Sequence, residues 1–264
     1  MRPDYGLDYV DVDVEDGVAV VRIKDPNDEH FVERKHPMHR DLRDVWSRLA
    51  EDHAVHATVL AGGYDYFFPA PRLPHMAALF AAHPEHVEAM QTEAKQIFVN
   101  VMEFPKPLVV AAFGAVIGMG PQIAFLADFL VASRDTTFTD THVPVAIASG
   151  DGATVVWPLV MGLARARRHV LRGVPLSAFE ADELGLVETL VETRDDVLPA
   201  ARTLAAALAQ LPALAFRATK LALNQWLRLG VQTSLELASA LEVSTFAGED
   251  FRRLLEPYLH STDE

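Results

Sequence analysis

A histidine and an aspartate in one loop-like segment are the residues best suited to acid–base chemistry. His142 and Asp151 lie nine positions apart, and Pro144 and Gly150 between them favour a chain reversal that would bring the two side chains together. A histidine oriented by a carboxylate is the usual general base near neutral pH. The alternative without a catalytic role is a surface histidine near a turn aspartate, and the spacing alone favours that alternative.

Ser149 lies between these two residues and brings a Ser/His/Asp triad into consideration. The serine nucleophile of α/β-hydrolases occupies a G-x-S-x-G turn, and no such motif surrounds Ser149. Its separation of two positions from Asp151 also gives poor triad geometry. The sequence therefore disfavours a serine nucleophile.

The other histidines and the lack of cysteine restrict metal chemistry. His53/His56 and His83/His86 have i, i+3 spacing, but neither pair belongs to an H-E-x-x-H motif or has an evident third ligand. We interpret them as solvated histidines on helix faces. The chain contains no cysteine, which excludes thiol nucleophiles and thiolate zinc sites. We predict no metal centre and no redox cofactor.

A glycine-rich segment, residues 114–120 (GAVIGMG), follows a buried apolar run and precedes a short helical pattern. Glycines at such a place leave backbone amides free at a helix start, and free amides can hold a developing oxyanion. The order of glycines is neither the dinucleotide motif nor a phosphate-binding loop. Glycines that merely allow a helix and a strand to pack closely explain the pattern equally well.

The elements that position these residues alternate between strand and helix. The predicted elements are two strands around Asp16-Gly17 between residues 9 and 24, a helix over 39–51, a strand over 57–61, a helical stretch over 75–103 broken near Pro84, and strands over 108–113 and 129–132. Such alternation predicts a parallel sheet with crossover helices. After Thr154 the pattern is mostly helical. We expect an α/β core with a helical C-terminal appendage.

The charge balance limits the partners that we expect. The chain has 23 Lys+Arg against 37 Asp+Glu, a net charge of −14. Such a field repels phosphate backbones and anionic membranes, so we expect neither nucleic acid nor a membrane as partner. The amino terminus is polar and acidic, unlike a signal peptide, and no apolar run has the length of a membrane span. The expected location is the cytoplasm.

The order of several motifs resembles the crotonase (enoyl-CoA hydratase/isomerase) superfamily. The matching segments are residues 114–120, Phe125-Leu126-Ala127-Asp128, Gly150-Asp151-Gly152, residues 177–186 and Ala218-Thr219-Lys220. The resemblance implies a crotonase-like α/β spiral of ββα units over residues 1–195. It also implies a helical oligomerisation region over 196–264, assembling as a trimer or a dimer of trimers. An oxyanion hole made of two backbone amides is a further implication.

Departures from the hydratase pattern affect the chemistry that the resemblance implies. Hydratases of this superfamily have glutamates at the positions of Gln122 and His142, and a glutamine cannot act as a carboxylate base. Pro71 falls where the first oxyanion amide should be, and proline has no N–H. Ala70 or Arg72 would then have to donate in its place. The amide of Met119 would be the second donor, and Gly120 and Gln122 are further candidates for binding the oxyanion or the substrate.

Residues 150–162 (GDGATVVWPLVMG) resemble the corresponding run of the β-diketone C–C hydrolases typified by 6-oxocamphor hydrolase. A histidine, an aspartate and a glutamate of those enzymes fall at His142, Asp151 and Glu242, while a further active-site histidine has Gly120 nearest its place. The resemblance implies retro-Claisen hydrolysis of a β-diketone. His142 would activate water, Asp151 would orient His142, and Glu242 would position water or substrate.

Two alternatives remain open from the sequence. An acyl-CoA hydratase or isomerase would use His142 as its base. Its CoA phosphates would then contact four basic residues: Arg34, Lys35, Arg72 and Lys220. A catalytically silent family member kept for assembly is the second alternative, which the proline at position 71 favours and the His142/Asp151 pair disfavours.

Overall fold

Six strands form the main sheet of this computed structural model, which describes residues 5–25, 27, 30–35, 37–63, 67–68 and 71–259. The strands lie in the order β1-β2-β3-β4-β6-β9. Their bounds are β1 Val10–Glu15, β2 Val18–Ile23, β3 Ala57–Gly62, β4 Leu108–Ala112, β6 Phe129–Ser133 and β9 Thr189–Val191. β1 and β2 are antiparallel and every later pair is parallel. The predicted hairpin and parallel sheet are confirmed.

Three short strands form a second sheet, and His142 follows one of them. It consists of β5 (Ala115–Ile117), β7 (Thr137–Thr139) and β8 (Leu176–Ser177). β5 runs parallel to β7, and β7 runs antiparallel to β8. The glycine-rich segment, residues 114–120, therefore contains a strand.

Twelve α-helices lie in the described part of the chain. They are α1 Pro37–Glu51, α2 Leu73–Ala82, α3 His86–Glu103, α4 Gly120–Leu126, α5 Ala153–Met161, α6 Leu163–Arg172, α7 Ala178–Glu183, α8 Arg194–Leu208, α9 Ala213–Leu223, α10 Gln225–Gly230, α11 Glu236–Phe246 and α12 Glu249–Leu259. A 3-10 turn occupies Val143–Val145, and a π-helical turn, Val231–Leu235, joins α10 to α11. The long helical stretch is broken between α2 and α3, at the position predicted from Pro84.

The main sheet is buried on both faces, as a parallel sheet requires. Alternate residues of β4 point to opposite sides: Val110 belongs to the larger core cluster, and Val109 packs against α8. Val197 and Ala201 of α8 lie in that second cluster. α8 begins at Arg194, one residue before the end of the predicted core at residue 195, and covers one face of the sheet.

The helices after α8 leave large apolar side chains exposed to solvent. Leu214 of α9 and Trp226 of α10 are 81% and 68% exposed. Self-association through this region remains a prediction. No single helix of the described residues is long and apolar enough to span a membrane, although α8 together with Ala213–Phe246, bent by 109°, passes on length and composition alone.

Candidate active site

His142 and Asp151 face each other across a reversed loop. His142 precedes the 3-10 turn that follows β7, and Asp151 lies two residues before the start of α5. Ala146 and Gly152 both have positive φ, 61° and 113°, which turns the chain back on itself. The structure therefore brings together the two residues that the sequence singled out.

The imidazole of His142 has a carboxylate at each ring nitrogen. Nδ1 lies 2.9 Å from Oδ1 of Asp140, whereas Nε2 lies 3.4 Å from Oδ2 of Asp151. Oε1 of Glu242, on α11, is 3.9 Å from the same Nε2. Sequence reasoning gave Asp151 the orienting role and missed Asp140. Asp140 makes the shorter contact and also accepts a hydrogen bond from the backbone N–H of His142.

Gln122 connects the two aspartates from the opposite side. Its Nε2 donates to Oδ1 of Asp151 at 2.9 Å and to Oδ2 of Asp140 at 3.3 Å, and its Oε1 accepts from the indole of Trp157 at 3.5 Å. The Gln122 side chain is completely buried. A role of Gln122 in binding substrate or the oxyanion stays a prediction, and in the structure its amide holds the two carboxylates in place.

Ser149 forms its hydrogen bond with Asp140 and not with the imidazole of His142. Its hydroxyl donates to Oδ2 of Asp140 at 2.6 Å. The donor direction rules out the arrangement of a triad, in which the serine hydroxyl would point to the histidine. This agrees with the low weight that the sequence gives to a serine nucleophile.

Glu242 is enclosed by the loop that carries Asp151. It is only 4% exposed, and its Oε2 has no hydrogen-bond partner among the described residues. A Cβ at Gly150 would clash with that oxygen, so Gly150 allows the helix to bring Glu242 close to the loop. The glutamate therefore completes the cluster from a distant part of the chain.

The protonation states of the cluster follow from burial and from mutual charge. Burial raises the pKa of Glu242 to about 8. Burial would lower the pKa of His142, but the charges of Asp151 and Asp140 outweigh it and raise this pKa well above 6.5. Burial also raises the pKa of Asp151. For Asp140 burial acts in the same direction, but the charge and hydrogen bonds of His142 and the bond from Ser149 together lower its pKa.

A cavity of about 310 Å³ opens onto this cluster. Its walls are mostly apolar, which suits a compact substrate with few polar groups. The apolar lining includes Met38, Phe68, Leu73, Met76, Met90, Ile117, Val145, Ile147, Phe246 and Phe251. His39, which sequence reasoning missed, also lines the cavity, and burial lowers its pKa to about 4.

The backbone amides expected to bind the oxyanion differ in whether they lie at the cavity and in whether they are already hydrogen-bonded. Met119 lines the cavity and immediately precedes α4. The amide of Arg72 donates to Oδ1 of Asn27 at 2.7 Å, so that donor is already in use. Ala70 lies outside the described residues. A Cβ at Gly120 would come within 2.8 Å of Phe68, so this position has no room for the histidine of the diketone hydrolases.

Within the described ranges, Asp140, His142 and Asp151 also come nearest to a metal-binding arrangement. One ligand atom from each lies within 4.8 Å of the others. The distance of 2.9 Å between Nδ1 and Oδ1 is a hydrogen-bond distance, whereas neighbouring ligands of a tetrahedral zinc with bonds of about 2.0–2.1 Å lie roughly 3.3 Å apart. The geometry thus fits an Asp–His pair better than two ligands of one ion.

Comparison with known proteins identifies the family of the chain. A profile of the family described as enoyl-CoA hydratase/isomerase matches residues 13–263. The chain belongs to this family. Among curated relatives in the family, the crotonyl-CoA hydratase of Syntrophomonas wolfei is 26% identical over 207 residues, which are 78% of this chain and 76% of the relative. The 2,3-dehydroadipyl-CoA hydratase of Escherichia coli is 28% identical over 201 residues, 76% of each chain.

Solved structures agree with the family assignment. An enoyl-CoA hydratase/isomerase from Mycobacterium paratuberculosis superimposes with a TM-score of 0.86 at 25% identity and covers 96% of this chain and 100% of its own. A beta-diketone hydrolase from the cyanobacterium Anabaena sp. PCC 7120, bound to (S)-3-oxocyclohexyl acetic acid, gives 0.81 at 24% identity, covering 96% and 98%. The chain therefore has the crotonase fold, and this fold is shared by hydratases and by a diketone hydrolase.

Proposed function

We propose that the protein hydrolyses a C–C bond of a cyclic β-diketone by a retro-Claisen reaction. The observation that carries the proposal is the His142 cluster, in which an imidazole between two buried aspartates faces an apolar cavity. The hydratase glutamate is replaced by Gln122, and this glutamine is fully engaged with the aspartates.

The proposed reaction begins with water at the Nε2 side of His142. The His142/Asp151 pair removes a proton from this water, which attacks one carbonyl carbon of the diketone. The oxyanion that forms is stabilised by the backbone amide of Met119. The C–C bond then breaks, and its electron pair moves into the second carbonyl as an enolate. Protonation of the enolate carbon completes the reaction, which needs no metal or redox cofactor.

The basic residues that a CoA substrate would need argue for a CoA-free substrate. Nζ of Lys220 lies 2.6 Å from Oδ2 of Asp128 and 3.1 Å from the carbonyl oxygen of Lys106, and Lys220 is only 8% exposed. Lys220 is therefore a structural residue, contrary to the expectation that it could meet CoA phosphates. Without the ion pair to Asp128, burial of the charged ammonium group of Lys220 would destabilise the folded protein.

The other three basic residues expected to meet CoA phosphates already have acidic partners. Arg34 lies 3.5 Å from a carboxylate oxygen of Asp8, and Lys35 lies 3.6 Å from one of Glu85. Arg72 is 3.9 Å from Asp25. These pairs are exposed and individually weak. They leave each cation with a neighbouring carboxylate, which opposes the binding of a polyanionic cofactor.

The second candidate is hydration or isomerisation of an acyl-CoA thioester. The names of the curated relatives favour it, since they describe hydratases of CoA thioesters. Within the site, His142 and Glu242 would then act on the enoyl group in place of the two hydratase glutamates. Gln122 donates hydrogen bonds to two aspartates and, as an amide, cannot replace the hydratase glutamate at this position.

A side-by-side assay separates these functions. Purified protein and its His142→Gln variant are incubated with cyclic β-diketones and with crotonyl-CoA, and products are followed by mass. We expect ring-opened keto acid from the unmodified protein and a rate lower by about 10²–10⁴-fold from the variant, the usual contribution of a general acid or base. Hydroxyacyl-CoA without keto acid would refute the proposal. Equal rates for both proteins would exclude His142 from catalysis.

A further inference from the structure

Both ring nitrogens of His142 face carboxylates, and this has a consequence for the direction of proton transfer. We propose that His142 is held as an imidazolium and is the proton donor of the reaction, while Asp151 is the base that takes the proton from water. The assignment of donor and base rests on the proposed diketone hydrolysis. The charge of the imidazole does not.

With both aspartates ionised, the hydrogen-bond inventory of the cluster favours this charge. A neutral imidazole has one N–H donor and one bare acceptor nitrogen, and an ionised carboxylate can only accept. Oδ1 of Asp140 is 2.9 Å from Nδ1, and Oδ2 of Asp151 is 3.4 Å from Nε2. In the neutral form one of these contacts would place an acceptor against an acceptor inside the protein. The doubly protonated ring makes both contacts favourable.

The two N–H groups differ in their availability. The Nδ1 contact has the length of an ordinary hydrogen bond, so Asp140 fixes the ring. The Nε2 contacts, 3.4 Å to Asp151 and 3.9 Å to Glu242, are longer than the roughly 2.7–3.2 Å of a formed N–H···O bond. The Nε2–H group therefore remains available to a carbonyl or enolate oxygen in the cavity that His142 lines.

The groups that face His142 from each neighbouring element support the same assignment. Asp140 follows β7, Asp151 precedes α5, and Glu242 lies on α11, while the neutral Gln122 on α4 binds both aspartates. The charges of Asp151 and Asp140 raise the pKa of His142, and burial raises the pKa of Glu242 to about 8, which leaves this glutamate as a neutral acid near pH 7. The raised pKa of Asp151 makes it a stronger base than an ordinary aspartate.

The proton inventory of the reaction then balances. Asp151 takes one proton from water as the hydroxyl oxygen bonds to the carbonyl carbon. The C–C bond breaks, its electron pair forms the enolate, and the Nε2 proton of His142 is delivered to the enolate carbon. The proton on Asp151 passes to the bare Nε2, which restores the resting state. In total, hydroxyl joins the acyl fragment and hydrogen joins the carbon fragment.

A histidine base predicts the opposite pH dependence. If His142 had to be neutral, kcat/KM would rise as the pH passes upward through its pKa. If His142 must be protonated, kcat/KM falls through the same pKa. Replacing Asp140 by asparagine keeps an acceptor at Nδ1 but removes one charge, and loss of one nearby opposite charge lowers a histidine pKa by about 1–3 units.

The test combines nitrogen NMR with kinetics. Protein labelled with ¹⁵N-histidine is titrated, and the His142 signals are assigned from the His142→Gln variant. We expect two protonated ring nitrogens at pH 7 and a pKa lower by about 1–3 units in Asp140→Asn. The alkaline fall of kcat/KM for the diketone should move by the same amount. The exposed Asp182→Asn change serves as the control and should alter neither quantity.

The outcomes distinguish this inference from the proposed reaction. A neutral His142 ring at pH 7, or kcat/KM that rises through the pKa of His142, would overturn the inference. Full activity in Asp151→Asn would overturn the assignment of the base. An imidazolium in a protein that opens no β-diketone would refute the proposed reaction and the two catalytic roles, and only the charge of the ring would stand.

Discussion

Replacing Gln122 by glutamate restores the residue type of the hydratases and should damage this protein. The amide of Gln122 gives one N–H each to Asp151 and Asp140, at 2.9 and 3.3 Å. A carboxyl group at the same place would be the fourth acidic group of a buried cluster. The structure therefore predicts that the introduced group cannot ionise in the folded protein.

The expected magnitude follows from the distances. Two unit charges about 4 Å apart repel each other by roughly 4 kcal/mol at an effective permittivity of about 20, and this is equivalent to about three pKa units. The introduced carboxyl thus keeps its proton at neutral pH, whereas in the unfolded chain it ionises near pH 4.3. The folded state then binds the extra proton, so stability falls by about 1.4 kcal/mol per pH unit above that value.

Denaturation in urea at two pH values checks this reasoning. Between pH 5 and pH 7 the Gln122→Glu protein should lose about 3 kcal/mol more unfolding free energy than the unmodified protein does. Gln122→Met, which removes the same hydrogen bonds without adding a carboxyl group, is the matched control and should show a much smaller pH dependence. A deficit of equal size at both pH values would refute the argument, because it would show that the introduced group ionises freely.

Three further predictions concern single side chains. Ser149→Ala removes a donor to Asp140 and should lower kcat less than about tenfold; a loss near 10⁴-fold would instead indicate a nucleophile. Glu242→Gln should gain stability relative to the unmodified protein as the pH rises from 4.5 to 8, because the raised pKa of Glu242 lowers the stability of the unmodified protein over that window. A difference between the two melting temperatures that does not change with pH would contradict this. Lys220→Met leaves the largely buried Asp128 without its cation and should cost about 3 kcal/mol in urea denaturation; a loss below 1 kcal/mol would contradict the structural role.

The central strands of the main sheet were predictable because they are continuous apolar runs, whereas β9, three residues long, lies in the part of the chain expected to be helical and was missed. Strands β3, β4 and β6 are buried on both faces, so the sequence at these places has few polar residues. The three-stranded sheet was not predicted. Its strands have two or three residues, and each contributes a single fully buried apolar side chain: Val116, Phe138 and Leu176. Such short strands have no periodicity of their own and depend on their neighbours.

The site was predictable only where residues are close in sequence or match a known pattern. His142 and Asp151 are joined by one short loop with turn residues. Glu242 came from the resemblance alone, since no local pattern distinguishes it from a solvated glutamate on a helix. Asp140 was missed because its role depends on the direction in which β7 ends. Arg72 was expected to offer an amide, and the bond to Asn27 that occupies it links two distant loops.

Isotope labelling tests the central claim, C–C hydrolysis of a β-diketone, most directly. The protein is incubated with a cyclic β-diketone in ¹⁸O-water, and the product is analysed by mass spectrometry. We predict a ring-opened keto acid with one ¹⁸O in its carboxyl group, because the water oxygen attacks the carbonyl carbon before the C–C bond breaks. Unchanged diketone, together with labelled hydroxyacyl-CoA from crotonyl-CoA in a parallel reaction, would contradict the account and assign the protein to hydration of CoA thioesters.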